Sequence, residues 1–383
     1  MLPRLIIATI LSIAIALPPV GACLWDRDTL AMEASGQHDI LKVISGRFPR
    51  NPPSFYEARL ARVEKELAAD PKNLALYDDA GVACDRLHRH DAAIGWMEKK
   101  ATILAEAPDD DHQYRYHANL GTFLIHQWLG AGADPEQPQG KQGADHIRRA
   151  IEINPDAHFG REIVQLMAIE WLLEVRSAPA DPDNTRYTLL QIDGYPGQPL
   201  PGDLDAAEAS TGLAGMVALG SAWESVDIFA ALAVALSADG RATISHLAKL
   251  RAQELLAAGR KSLSPNFPSD ASLVAPEMVW AQAPVDRWFT EARSSADRWQ
   301  EERTRYIEAR IKQGEHPDTH PDFWDGFDAA IHPLPPFPKP PPPGSREAIK
   351  RVTKVSYWLL VAIALVPVAW FILRSWRNRH GMV

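Results

Sequence analysis

Two stretches of this chain carry the same alternation of small and large apolar residues. Residues 73–104 hold Tyr77, the small pair Ala80-Gly81, Leu87, a short polar turn, and then Ala93, Met97 and Ala101 on one stripe. Residues 117–155 repeat the scheme, with Leu120-Gly121 as the close-packing pair and Ala150 ahead of the helix stop Asn154-Pro155. Apolar residues three and four apart share one face of an α-helix. A recurring helix pair of this size buries that face only by stacking on its neighbours. The pattern therefore predicts an all-α chain built of stacked helical hairpins.

The hairpins resemble tetratricopeptide (TPR) repeats. Tyr77 matches the first aromatic of that pattern and Ala80-Gly81 its small pair, while His88 stands for the usual turn glycine, His90 for a tyrosine and Cys84 for the internal aromatic. The segment from Phe55 to Pro71 reads as the second helix of a preceding unit, so the resemblance covers roughly residues 54–175. The stretch from Gly130 to Gly143 departs from the family as a loop about ten residues longer than usual, an insertion such arrays tolerate. The resemblance implies a TPR-like solenoid that binds a protein or peptide on the surface made by its first helices. Asp78, Asp85, Asn119 and His126 are the candidates there, with plain solvation as the alternative for each.

Downstream the periodicity stays helical while the signature fades. Ala222, Trp223, Val226, Phe229, Ala230 and Ala233 form one stripe, and after the Asp239-Gly240 turn Ile244, Leu247, Ala248 and Leu255 form another. This predicts a further hairpin. Val285 to Lys312 reads as a long charged helix with Trp288, Ala292, Ala296, Trp299, Tyr306 and Ile307 on its apolar side, closing the array over residues 203–313. Arg186 to Ile192 is the one short β-like run.

Both ends differ from the middle. Leu5 to Leu17 is apolar behind Arg4, Pro18-Pro19 breaks it, and Val20-Gly21-Ala22 offers a cleavage site, which predicts a signal peptide over 1–22. Residues 23–53 then pack on the array. Val355 to Leu373 is uncharged for nineteen residues, roughly 28 Å of helix and enough for one transmembrane span. Together they predict a single-pass membrane protein with its large domain outside the cytoplasm and a basic tail over 374–383. Ahead of the span, His332 to Gly344 has eight prolines in thirteen residues. That run predicts an extended polyproline stalk within 332–350, reaching up to about 40 Å.

The net charge of −9 argues against nucleic-acid binding, which needs a basic surface. No G-x-S-x-G, H-E-x-x-H or phosphate-binding glycine loop appears, so no catalytic residue, cofactor or metal is assigned and the chain is not expected to be an enzyme. The competing reading is a metal-dependent hydrolase using His316 to Asp328, HPDTHPDFWDGFD, whose prolines and aspartates are explained as well by turns. A purely structural envelope protein is a third. Asp28 reads as a helix N-cap with Trp25 packing back on that helix. Cys23 and Cys84 are the two cysteines. In an oxidising compartment an even pair favours a disulfide, while lipidation of Cys23 after Val20-Gly21-Ala22, or two buried free thiols, remain the alternatives.

Overall fold

The computed structural model describes residues 24–28, 39–155, 161–177, 188–192, 197–201, 204–267 and 282–339. The predicted signal peptide, Cys23, the transmembrane segment 355–373, the stalk beyond residue 339 and the basic tail lie outside them. Among the described residues there are eleven α-helices and no strand, and no helix is long and apolar enough to cross a membrane.

The helices are α1 (Ile40–Ser45), α2 (Pro53–Ala69), α3 (Leu74–Arg86), α4 (His90–Glu106), α5 (Asp110–Gly130), α6 (Gln139–Ile153), α7 (Arg161–Ser177), α8 (Ala206–Ala218), α9 (Val226–Ala238), α10 (Ala242–Ala257) and α11 (Ala283–Lys312), with a 3-10 turn over Ala222–Glu224. Their starts are written locally. Asp109 accepts from the His112 amide, Asp205 from Ala207 and Glu208, and Ser225 from Ile228, each satisfying amides that the first helical turn leaves unpaired. Proline opens α2 at its first position, where the missing N–H costs nothing.

From α2 to α10 each helix packs on the next, and α3 also touches α5. The chain is all-α as predicted, its consecutive helices pack in sequence order, and the small pairs set their spacing. A Cβ on Gly121 would lie 2.9 Å from the Gly143 carbonyl oxygen and 2.9 Å from Ile147, so α5 and α6 cross at a distance only glycine permits. The loop between them is shorter than expected. Residues 139–143, counted as loop in the sequence, are the first turns of α6, because Pro138 can precede a helix and the glycines there face Trp128 and Ile125 at close range.

Two apolar clusters hold the array. One gathers α2 to α5 with Leu24, Ile307 and Phe323, and the larger one runs from α1 and α5 through α11. Helix α9 is buried on every side, as expected of a helix apolar all round rather than on one stripe; its stripe of sequence apolar residues understates how central it is. The β-like run forms turns where it is described, at Thr188–Leu190.

Helix α11 closes the array. It packs on α10 at one end of the succession and on α2 at the other, with α1 between them touching α8, α10 and α11. The Pro-rich segment then turns back along it. Trp288 donates to the Pro335 carbonyl, Ser295 to those of His332 and Pro333, and Phe337 meets Trp288 edge to face at 4.9 Å. Residues 332–337, expected to begin the free stalk, are therefore part of the body: the apolar side chains of Leu334 and Phe337 have somewhere to be buried.

The two described ends meet on Arg59 of α2, a fully buried guanidinium. It donates to Asp26 at 2.9 Å, to Asp28 at 2.9 Å and twice to Asp318 at 2.8 Å. Arg62 adds a bond to Asp318 at 2.8 Å, and Arg27 pairs with Asp79 at 2.7 Å. Burial works against the Arg59 charge, but Asp28, Asp26 and Asp318 outweigh it and raise its pKa well above the ordinary value. Asp28, read from sequence as a cap, spends its carboxylate on Arg59 and Asn51. Trp25 meets Tyr114 of α5 edge to face at 5.2 Å, and the rest of the helix that Asp28 is expected to cap, residues 29–38, lies outside the described residues.

Candidate functional site

The ring of helices surrounds a cleft of about 1710 Å³. One wall comes from the turn between α3 and α4 and from α5. Helix α3 ends in a left-handed residue, His88 at φ 57°, with the Arg89 amide donating to Cys84 and the His88 amide to Asp85. This is the turn a C-terminal glycine usually makes, so the departure seen at His88 in the sequence is accommodated by backbone strain of a modest kind. The turn brings His90 back over the last turn of α3, and α5 runs past it.

There Asp85, His90 and His126 come together. The Asp85 carboxylate accepts from His90 Nδ1 at 2.9 Å and from His126 Nδ1 at 2.8 and 2.9 Å. A carboxylate only accepts, so both rings carry a proton on Nδ1. Burial pushes the Asp85 carboxyl up, but His126 and His90 prevail and hold it below the usual carboxylate range. His126 is buried and its Nε2 has no hydrogen-bond partner among the described residues. Donor atoms of the three side chains lie within 4.8 Å of one another.

The facing walls are cationic and aromatic. Arg86 donates to the carbonyls of Leu219 and Gly220 at 2.6 and 2.7 Å, Arg50 to Gly46 at 2.9 Å, and Arg303 to Arg50 and Asn51. None of these three forms an ion pair among the described residues. Burial lowers the pKa of Arg50 to about 10, helped by the neighbouring Arg293, and burial alone does most of the same to Arg303, also to about 10. Trp223, Trp299, Trp324 and Phe327 complete the cleft. Arg251, Arg50 and Arg293 crowd the Trp223 ring at 3.9, 4.7 and 5.0 Å, and Arg303 lies 4.9 Å from Trp324.

The four groove candidates divide. Asp85 and His126 line the cleft. Asp78 and Asn119 are buried beneath the N-terminal segment: Lys100, itself fully buried, donates to both oxygens of Asp78 at 2.7 Å, and Asn119 donates to Asp78 at 3.1 Å. Asn119 also accepts from the Trp25 amide at 2.7 Å and donates to the Trp25 carbonyl at 3.1 Å. Asn119 therefore holds the chain's own backbone at Trp25, and Asp78 holds Asn119 and Lys100. Cys84 is a buried free thiol, its pKa pushed up by burial; its proposed partner Cys23 lies outside the described residues, although Leu24 beside it shares the apolar cluster of Cys84.

The His316–Asp328 segment does not assemble a donor set. His316 Nε2 faces the Phe55 carbonyl at 3.1 Å, its Nδ1 accepts from the Asp318 amide, and burial lowers its pKa to about 4. Asp318 is taken up by Arg59 and Arg62, Asp328 accepts from the Ala330 amide, and Asp322 and Asp325 are exposed. The hydrolase reading placed its metal at a turn whose polar groups already serve the fold. His90 reads in the sequence as part of the turn His88-Arg89-His90-Asp91, with a ligand role as the alternative, and the arginines are not legible at all, since their neighbours lie far off in sequence. No protein-family model, curated protein or solved structure matches the chain.

Proposed function

We propose that the chain is a TPR-like helical scaffold that receives an extended segment of a protein or peptide partner in its central cleft, outside the cytoplasm and tethered by a C-terminal span. The observation that carries this reading is the pairing of Arg50, Arg86 and Arg303, buried or half-buried and in no ion pair among the described residues although Asp28 lines the same cleft, with its tryptophan shelf. A partner that brings a carboxylate beside an apolar side chain neutralises the first and covers the second. At about 1710 Å³ the space exceeds the roughly 300–1,000 Å³ of a small-molecule pocket.

The chain's own contacts support a peptide rather than another ligand. Asn119 engages both backbone groups of Trp25, and Arg47 donates to the carbonyls of Ala329, Ile331 and His332. Both sets of contacts are made to backbone groups, which any peptide offers; the backbone that Arg47 holds is the turn at residues 329–332. A random peptide library panned against the full chain, followed by anisotropy titrations, tests the proposal. Selected peptides are expected to combine acidic and aromatic residues, to bind more weakly as salt rises, and to lose about tenfold in affinity, roughly 1.4 kcal/mol, in Arg303→Gln. Failure to select any peptide, or equal binding of acidic and basic sequences, would refute it.

A further inference from the structure

Asp85, His90 and His126 do something in the cleft that a peptide groove does not require. The geometry points to a binding site for a first-row divalent cation of the zinc class, formed by these three side chains, with its remaining coordination position open to the cleft.

Two imidazoles and one carboxylate are a common protein ligand set for such ions. Three features bring this set close to one. The Asp85 oxygen stands 2.9 Å from His90 Nδ1 and 2.8 Å from His126 Nδ1. Ligand atoms around a tetrahedral ion at about 2.0–2.1 Å sit roughly 3.3–3.4 Å apart, so an expansion of about half an ångström admits the cation. His126 Nε2 is buried and has no hydrogen-bond partner among the described residues, so it is free to take the proton that Nδ1 gives up to the cation. The three groups ride on α3, α4 and α5, which the close packing around Gly81 and Gly121 holds in place, so little ordering is left for the ion to impose.

A fourth ligand is close by. The His88 ring lies 6.0 Å from that of His90 and is exposed to the cleft, from which it or water fills the position. Ligation through Nδ1 moves each ring's proton from Nδ1 to Nε2, so both imidazoles stay neutral, with no net proton release and no redox change. A hard ion is a poorer fit, because magnesium and calcium favour all-oxygen shells.

The site is independent of the peptide reading, and its test reads the metal alone. Full-length chain in detergent, stripped with chelator, is titrated with Zn2+ by calorimetry, and Co2+ is added separately to record its visible spectrum. One equivalent of tightly bound Zn2+, intense tetrahedral-type Co2+ bands, and no comparable binding of Mg2+ are expected. His90→Ala, on a partly exposed residue, is expected to weaken Zn2+ at least 100-fold and to abolish the Co2+ bands, whereas His316→Ala keeps both. His126→Ala serves as a second variant, read only if its far-UV circular dichroism matches wild type. No stoichiometric Zn2+ binding, or binding unchanged in His90→Ala, overturns the inference.

Discussion

Replacing Arg59 by methionine probes the most heavily loaded polar contact in the fold. The guanidinium is fully buried and makes four hydrogen bonds of 2.8–2.9 Å to Asp26, Asp28 and Asp318. It also stacks 4.7 Å from the Phe55 ring. Methionine fills much of the volume but carries no charge, so Asp318 keeps Arg62 at 2.8 Å and Arg27 at 3.9 Å while Asp26 and Asp28 lose their arginine. Breaking a buried pair from one side costs about 3–5 kcal/mol, against a total stability of order 5–15 kcal/mol for a domain. Urea unfolding followed by far-UV circular dichroism should show that loss at pH 7. Asp318→Asn alone should cost less, about 1.5–3 kcal/mol, because Arg59 retains two carboxylates. Added to Arg59→Met, Asp318→Asn should cost little or even stabilise, since it removes an acid that has lost part of its counter-charge. Acids without that counter-charge bind protons more readily in the folded state, so the deficit of Arg59→Met should shrink as the pH falls towards 4. A loss below about 1 kcal/mol, or additive effects of the two substitutions, would refute this account of how the chain ends are held.

Two further outcomes follow from single residues. Burial pushes the Asp227 carboxyl up to about 6, against hydrogen bonds from Ser262 and the Leu263 amide. A folded-state pKa above the unfolded value favours the protonated form, so its contribution is complete below about pH 4 and is lost as the pH rises through 6, a change of order 3 kcal/mol. Asp227→Asn keeps both contacts, because the Ser262 hydroxyl can turn and accept, and melting temperatures should then fall less between pH 4 and 7 than in wild type; an unchanged slope contradicts the assignment. Gly121→Ala meets a carbonyl oxygen and Ile147 at 2.9 Å and should cost about 1–3 kcal/mol, whereas Gly95→Ala meets nothing within 4 Å in α4 and should stabilise by about 0.5–1 kcal/mol in the same assay.

The helices were legible because their signals are local. The stripe through Ala93 and Met97, the Asp239-Gly240 turn and the long run from Val285 to Lys312 each depend on neighbours within a few residues, and all three mark real elements. The cleft was only half legible. Asp85 and His126 could be placed on first helices, but Asp78 and Asn119 share that register and point under the segment at Trp25, because the face a helix shows to solvent depends on what later packs there. Arg59 reads in sequence as an ordinary helical arginine; its partners lie 31, 33 and 259 residues away. Long-range polar pairing leaves no periodic trace, and the tryptophans at 223, 299 and 324 read as core until the ring of helices is closed around them.

Closure by α11 joins the cleft to both ends of the described chain. Asp26 and Asp28 line it from one end, and Pro317, Trp324, Phe327 and Ala329 from the other, so whatever loosens the Arg59 contacts also moves two walls of the site. The Pro-rich run inherits a geometric consequence. With residues 332–337 laid on the body through Trp288 and Ser295, seven of the thirteen residues to Gly344 remain, about 22 Å at roughly 3.1 Å per residue, not the 40 Å the whole run would reach. On the reading that a span follows, the cleft is held nearer the membrane than its sequence suggests, and its wall is continuous with the tether.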